Sequence, residues 1–481
     1  FGAVDQIAYV YLNDRFVGEH EGGYLPFEFD ITPYLSGGEN KLTVEVEDTL
    51  DIELAYGKQT HKRGGMWYTA TSGIWQAVWL EAVPENYISA LRFTPDLSGV
   101  LLEVSGGADK KSVKISTPSG EIALDFEGES ARIDIPEPML WTPENPYLYE
   151  FAVEGEGDRV ESYFALRTIE SKTVNGIPRL CLNGKPYFFH GLLDQGYWSD
   201  GLFTPATPEG FEQDILAMKD LGFNMLRKHI KVEPARWYYW CDVLGMMVWQ
   251  DMPSIGDFAG TQLRSRDLDV QKAVKNVWSK DSLLGGTECD IPQAWKDNFY
   301  NEWTNIMTAF RGFQCIVCWV PFNEAWGQFD TPDVVKYTKA FDPTRLVNES
   351  SGGNFHLVGD IIDVHHYPHP AMNVFEAKFI NVLGEYGGIG YPVPGHTWEI
   401  DRKWGYGKVK ENSEQLMKQY EEYLEMLKGF VTTGCAAAVY TQTTDVEGEV
   451  NGLMTYDRKV IKMDIPRIAA ANKQVIESMS K

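Results

Sequence analysis

Two carboxylates stand where a folded chain can bring them together. Glu324 follows the apolar run Ile316-Val317-Cys318-Trp319-Val320-Pro321-Phe322 through Asn323, and Glu385 follows Val382-Leu383-Gly384. Each comes directly after a strand-like apolar segment, so burial and a strand-end position aim both into one cavity. Carboxyls paired in this way suit glycoside cleavage: one protonates the leaving oxygen while the other attacks the anomeric carbon or activates water. The competing reading is two rim acids bonded to neighbouring Arg or Lys, and spacing alone leaves both open. Other apolar runs end in Asp194-Gln195, Arg227-Lys228-His229, Trp249-Gln250-Asp251, His365-His366-Tyr367 and Tyr440-Thr441-Gln442. Acids, amides and His that bond hydroxyls, beside rings that cover an apolar C–H face, are what a neutral sugar needs.

The elements that must position these residues are legible as a change of period. From about residue 169, apolar strand-like runs alternate with amphipathic helical stripes, the pattern of βα units. Candidate strands cover 187–193, 223–229, 246–250, 316–322, 346–349, 361–367, 382–385 and 436–441. Eight such units predict a (β/α)8 TIM barrel, in which the C-terminal strand ends converge on one pocket. Helical stripes between them include Phe211, Ile215 and Met218 after Thr207-Pro208-Glu209 and before Gly222. Two more are Trp295, Phe299, Trp303, Ile306, Phe310 and Leu416, Tyr420, Tyr423, Leu427, the last expected to stop at Gly429. Residues 1–82 read as all-β, with alternation at 8–12, 27–31 and 42–46 and a closing run at 74–80. Residues 83–168 carry seven short strands with turn signals between them, which predicts an immunoglobulin-like sandwich. The expected order is therefore a jelly-roll-like β domain, an immunoglobulin-like β-sandwich and a TIM barrel over 169–481.

Composition narrows the partners. The 481 residues predict two to four domains at ~100–200 residues each. A formal charge of −26 argues against nucleic acid or an anionic membrane as partner, because phosphate binding needs clustered cations. No apolar run approaches the ~18 residues of a membrane span. The six cysteines are scattered, and the Cys315-x-x-Cys318 pair sits inside an apolar run, which reads as a buried strand far more readily than as a redox or metal site. The chain opens on Phe1, straight into strand-like sequence, so no leader can be read and the compartment is open between cytoplasm and periplasm or exterior.

Four motifs in order carry a family resemblance. Trp319-Val320-Pro321-Phe322-Asn323-Glu324-Ala325-Trp326-Gly327 resembles the strand-four acid/base motif of glycoside hydrolase family 2, the β-galactosidase and β-glucuronidase family, and Leu383-Gly384-Glu385-Tyr386-Gly387-Gly388 resembles its strand-seven nucleophile motif. Gly73-Ile74-Trp75-Gln76-Ala77-Val78-Trp79-Leu80-Glu81 resembles the end of its sugar-binding jelly roll, and Tyr440-Thr441-Gln442-Thr443-Thr444-Asp445-Val446-Glu447 with Asn451-Gly452-Leu453 resembles its eighth-strand region. The resemblance implies a retaining exo-β-glycosidase acting on a carbohydrate, with Glu385 as nucleophile and Glu324 as acid/base. It implies carboxyls ~5–5.5 Å apart and a Glu324 pKa raised by burial and by Glu385.

Further roles follow from the same resemblance. Asn323 would bond the sugar 2-OH, Tyr367 and Arg227 would hold Glu385, and Trp326 would line the pocket. His229 would contact the sugar, although the family's usual His lies one residue later, at Ile230 here. His365 would share the face of Tyr367, with His366 pointing away. Tyr440 would replace the usual Trp floor after strand eight, and Asp194 would either accept from sugar hydroxyls or serve the first loop. The third strand has Asp251-Met252-Pro253 in place of the Glu-x-His that binds magnesium in some members, so neither a catalytic metal nor a cofactor is expected. The glucuronidase Asn-x-Lys pair has no counterpart in Gly448-Glu449-Val450-Asn451-Gly452, and Glu449 would repel a uronate. A neutral β-sugar, by default a β-galactoside, is the implied substrate; a β-mannoside, arabinoside or uronate, or an inactive carbohydrate-binding protein, are the alternatives. The family often forms homo-oligomers. It also has about half a jelly roll upstream of the segment beginning at Phe1, so the first domain is expected to be an incomplete sandwich that exposes Tyr9, Tyr11, Phe27 and Phe29.

Overall fold

The computed structural model describes residues 1–256 and 288–479. In the first region, Ile7–Leu12 pairs antiparallel with Arg15–Glu21 and with Leu42–Glu47. Asn13 and Asp14, both at positive φ, make the tight hairpin turn. Val4–Asp5 pairs with Gly73–Ile74, and Gln59–Thr60 runs parallel to Tyr68–Thr69. Three small sheets result, not a closed eight-stranded sandwich. Two expected strands are corrected. Residues 27–31 form no ladder, because Phe27 exchanges backbone hydrogen bonds only with Phe1. Beyond Ile74 the run to Leu80 keeps only scattered bonds to residues 2 and 3, and Val78, Trp79 and Leu80 are exposed. Tyr9, Tyr11, Phe27 and Phe29 are half-buried and not laid open. Phe27 stacks on Phe1 at 4.9 Å and meets Phe29 edge-on at 5.7 Å.

The second region has the seven expected strands. Gly120–Glu127, Lys110–Thr117, Tyr149–Gly155 and Asp158–Phe164 form one sheet, and Ser130–Asp134, Gly99–Gly106 and Ile88–Pro95 the other. Alternate residues such as Val100, Leu102, Val104, Val113 and Ile115 fill a core of their own between the sheets. This sandwich docks on the barrel through the fully buried Trp141, whose Nε1 donates to the Asp242 carbonyl at 2.9 Å, and through Arg167, which donates to the Gln314 and Ile316 carbonyls at 2.9 and 2.7 Å. A hairpin that sequence reading missed, Ile169–Val174 with Ile177–Leu182, follows. Its Arg179 donates to the Cys435 carbonyl at the base of the last barrel strand.

The barrel strands are Phe189–Asp194, Met225–Lys228, Met247–Asp251, Ile316–Val320, Leu346–Val347, Ile361–His366, Ile380–Tyr386 and Cys435–Tyr440. All run parallel in chain order, with the first strand beside the eighth. One parallel bridge, Asn348–Ile361, joins the fifth strand to the sixth and closes the ring. The expected stripes are buried on Glu209–Asp220, Gln293–Phe310 and Ser413–Thr433. The third of these helices runs through Gly429 and stops at Gly434, whose φ of 136° no other residue type adopts readily. Cys315 and Cys318 are both fully buried. The Cys315 thiol meets the Tyr238 carbonyl and the Cys318 thiol the Trp319 carbonyl, and both are free cysteines.

Candidate active site

The C-terminal strand ends do converge. Glu324 lies just beyond the fourth strand, in left-handed backbone with φ 48°, and Ala325 follows at 62°. Non-glycine residues there cost on the order of 1–3 kcal/mol each, and such strain clusters at functional sites. The Glu324 amide donates to the Ser351 carbonyl at 2.8 Å, which pins the turn and swings the carboxyl inward. Glu385 belongs to the seventh strand and is 3% exposed. One carboxylate oxygen of each, together with a ring nitrogen of His365, lie within 4.8 Å of one another.

Each carboxylate has its own support. Arg227 Nη1 donates to Glu385 Oε1 at 3.1 Å, and the Tyr367 hydroxyl donates to Oε2. Arg227 also donates to both oxygens of Asp251, at 3.1 and 2.9 Å, and to Asn323 Oδ1 at 2.7 Å. Burial opposes the Arg227 charge, yet Asp251 and Glu385 outweigh it and raise its pKa. The Asp251 carboxyl is pushed up to about 6 by burial, against the pull of Arg227. Arg227→Met would leave Asp251 and Glu385 buried without their cation. Loss of ~3–5 kcal/mol of stability is expected, read as a lower urea midpoint; an unchanged midpoint would contradict this account.

Glu324 is paired differently from expectation. Its Oε1 sits 2.9 Å from His365 Nδ1, and His365 Nε2 is 2.7 Å from Ser351 Oγ. Burial raises the Glu324 pKa, but the His365 hydrogen bond and charge, with Lys58 and Arg227, outweigh it and hold it below the usual carboxylate value. Burial likewise opposes the His365 charge, while Glu385, Glu324 and Asp363 raise its pKa. The expected raised Glu324 is therefore corrected. Glu324 and His365 share one hydrogen bond, which couples their protonation.

Asn323, Trp326, Tyr367 and His229 line the cavity with the two acids. Asn323 Nδ2 is buried, has no hydrogen-bond partner among the described residues and is free to donate to a ligand. Trp326 stacks on Trp67 at 5.1 Å, and Tyr406 stacks on Tyr367 at 3.5 Å. His229 Nδ1 lies 3.0 Å from Asp251 Oδ2, and burial with Lys58 and Arg227 keeps its pKa well below the ordinary value.

Four candidate ligand contacts are not brought to the cavity wall. Tyr440 is fully buried beneath it, packed against Tyr386 and Tyr420, with its hydroxyl accepting from the Ile389 amide at 3.0 Å. Asp194 accepts from Lys228 Nζ at 2.8 Å and from the Gly196 amide at 3.0 Å, which commits it to the first loop. Arg227 has no exposed surface, and His365 stands behind Glu324. His366 turns away toward the His369 carbonyl. Sequence reading missed Lys58, Met66 and Tyr406 on the wall, and it named Glu449 only as a repellent charge.

Three family models match in order. "Glycosyl hydrolases family 2, sugar binding domain" covers residues 1–84, "Glycosyl hydrolases family 2" covers 88–167 and "Glycosyl hydrolases family 2, TIM barrel domain" covers 174–458. A β-galactosidase of Halalkalibacterium halodurans is 26% identical over 389 residues, 74% of this chain and 34% of that one. A β-galactosidase of Thermoanaerobacter pseudethanolicus is 29% identical over 286 residues, 53% and 37% of the two chains. The chain thus spans about a third of the length of these curated relatives. Among solved structures, a β-glucuronidase of an uncultured Clostridium superposes with a TM-score of 0.75 at 17% identity, covering 98% of this chain and 84% of the other. A β-galacturonidase from Eisenbergiella tayi reaches 0.71 at 19% identity, covering 98% and 86%.

Proposed function

The chain belongs to glycosyl hydrolase family 2, and we propose that it is a retaining exo-β-glycosidase that removes single neutral sugars. The observation carrying this reading is the approach of Glu324 and Glu385 to within 4.8 Å across one cavity. That separation suits double displacement; a water between the carboxyls, as inversion requires, needs ~6.5–9.5 Å. In the first step Glu385 attacks C1, the C1–O bond breaks, and the departing oxygen takes the proton held between Glu324 and His365. In the second, water attacks C1, Glu324 accepts its proton and Glu385 leaves. Asn323 Nδ2 would donate to the 2-OH. β-Galactosides are the favoured substrates, supported by the names of the two curated relatives and by the carboxylate of Glu449 on the wall.

A second reading, a β-uronide, is favoured by one observation: the ammonium of Lys58 also faces the cavity. A panel of p-nitrophenyl β-galactoside, mannoside, arabinoside and glucuronide, with NMR following the first-formed anomer, tests both. Turnover of the galactoside with retained configuration is expected. Inactivity on all of them would remove the hydrolase reading, and an inverted product would remove Glu385 as nucleophile.

A further inference from the structure

Lys58 comes from the first domain, in Gly57-Lys58-Gln59, and is 5% exposed. It lines the cavity together with Glu449, which comes from the loop after the last barrel strand. Among the described residues no acceptor lies within hydrogen-bond distance of its ammonium and no carboxylate within 4.0 Å. Its Nζ rests 5.6 Å from the Tyr68 ring centre and 5.7 Å from that of Trp326. An ammonium carries three donors and cannot accept. A buried cation with idle donors facing a cavity is completed by oxygens of whatever enters it.

Glu449 is built in more firmly. The Tyr68 hydroxyl donates to its Oε1 at 2.6 Å, and Gln442 Nε2 and Asn451 Nδ2 donate to Oε2 at 3.1 and 3.3 Å. An ionised carboxylate has about four lone-pair sites, so one remains for a ligand hydroxyl. Tyr68 bonds Glu449 through its hydroxyl and carries the Lys58 ammonium over its ring, so a donor and an acceptor flank one aromatic side chain.

We propose that Lys58 and Glu449 form a two-domain clamp that grips neighbouring hydroxyls of the sugar away from its anomeric carbon and rejects charged sugars. The inference deepens the reading of the same pocket and rests on it for the substrate class. A uronate would bring its carboxylate to Glu449, and an amino sugar its ammonium to Lys58. A neutral diol satisfies both, donating to the carboxylate and accepting from the ammonium. This accounts for the lone lysine without making the cavity a uronate site.

The test compares the whole chain with Lys58→Met and Glu449→Gln. Methionine keeps the apolar stem against Tyr68 and Trp326, and glutamine keeps the shape of glutamate. Calorimetry reads the binding of D-galactose and D-galacturonate, which needs no turnover, and steady-state kinetics read p-nitrophenyl β-galactoside. Lys58→Met is expected to weaken galactose binding and to lower kcat/KM by about 10- to 100-fold, the range for losing a charged hydrogen bond, with the retained product unchanged. Glu449→Gln is expected to weaken galactose and to strengthen galacturonate by about 10-fold or more. Galactose affinity unchanged in both variants overturns the clamp. So does a wild-type chain that binds neither sugar, or one that prefers galacturonate and loses it with Lys58→Met. Galactose binding that depends on Lys58 and Glu449, without turnover of any aryl glycoside, would uphold the clamp and remove the hydrolase reading. Melting curves confirm folding, and Glu449→Gln carries the test alone if Lys58→Met does not fold.

Discussion

Glu385→Gln is expected to lower kcat on every β-glycoside by at least ~10⁴-fold while galactose binding stays within about 3-fold. The amide occupies the space of the carboxylate, and its oxygen can still accept from Arg227, whose other partners, Asp251 and Asn323, are untouched. What is lost is the negative charge that makes this oxygen a nucleophile toward C1. A slow 2-fluoro glycoside should leave one sugar on the wild-type chain, seen by intact mass spectrometry and placed on the peptide holding residue 385. The variant should gain none. A Glu385→Gln chain within about 10-fold of wild type, or an adduct on another residue, would show that attack comes from elsewhere.

Glu324→Gln should divide substrates by leaving group. A dinitrophenolate departs without a proton, whereas an alkoxide needs one. General acid catalysis contributes about 10²–10⁴-fold, so a loss of that size is expected on methyl or lactosyl-type β-galactosides. The glycosylation step on a dinitrophenyl glycoside should be nearly spared. Equal losses on both would mean that Glu324 serves structure.

The pH dependence belongs to the Glu324–His365 pair, which titrates as a unit. The folded His365 pKa is raised above its ordinary 6.5. Its share of stability is therefore complete below 6.5 and fades as pH climbs through the folded value. Glu324 is held below 4.5, so its share is complete above 4.5 and fades as pH falls through its lower folded value. Both shares are present between those two ordinary values. Above the pair's upper value no proton is left for the leaving oxygen, and kcat/KM on alkyl glycosides should fall. His365→Gln should move that alkaline limb to lower pH, because Glu324 then titrates alone. A limb that stays in place would separate His365 from the reaction.

The fold was largely legible, because each barrel strand is an apolar run stopped by polar residues and each sandwich strand alternates. Glu324 and Glu385 were readable for the same reason: strand-end acids after buried segments have few other places to go. Tyr440 was misplaced because a strand-end ring can point into the pocket or under it, and only the neighbours Tyr386 and Tyr420 decide. Lys58 was invisible. A lysine between glycine and glutamine in a loop has no period, and its cavity exists only once two domains meet. The direction of the Glu324 shift was misjudged because burial, the effect that sequence suggests, is the largest single influence and is still outweighed by His365 together with Lys58 and Arg227. Helix Ser413–Thr433 outran Gly429 because a glycine in an otherwise sound helix costs only ~1 kcal/mol.

The barrel's thinnest seam has a further consequence. The fifth strand contributes two residues, and one bridge with the Asp360 amide on the Val347 carbonyl and the Gly352 amide on the Asp363 carbonyl, both at 3.0 Å, joins its neighbourhood to the sixth. Side chains add to these: Asn348 Nδ2 donates to Asp363 Oδ2 at 2.7 Å, Ser351 Oγ donates to the same oxygen, and the Val347 amide donates to Asp360 at 2.8 Å. Buried hydrogen bonds of this kind are electrostatically stronger than in water. Ser351 is also the partner of His365. The seam and the Glu324–His365 pair therefore share one hydroxyl, so whatever displaces it touches barrel closure and the environment of Glu324 together.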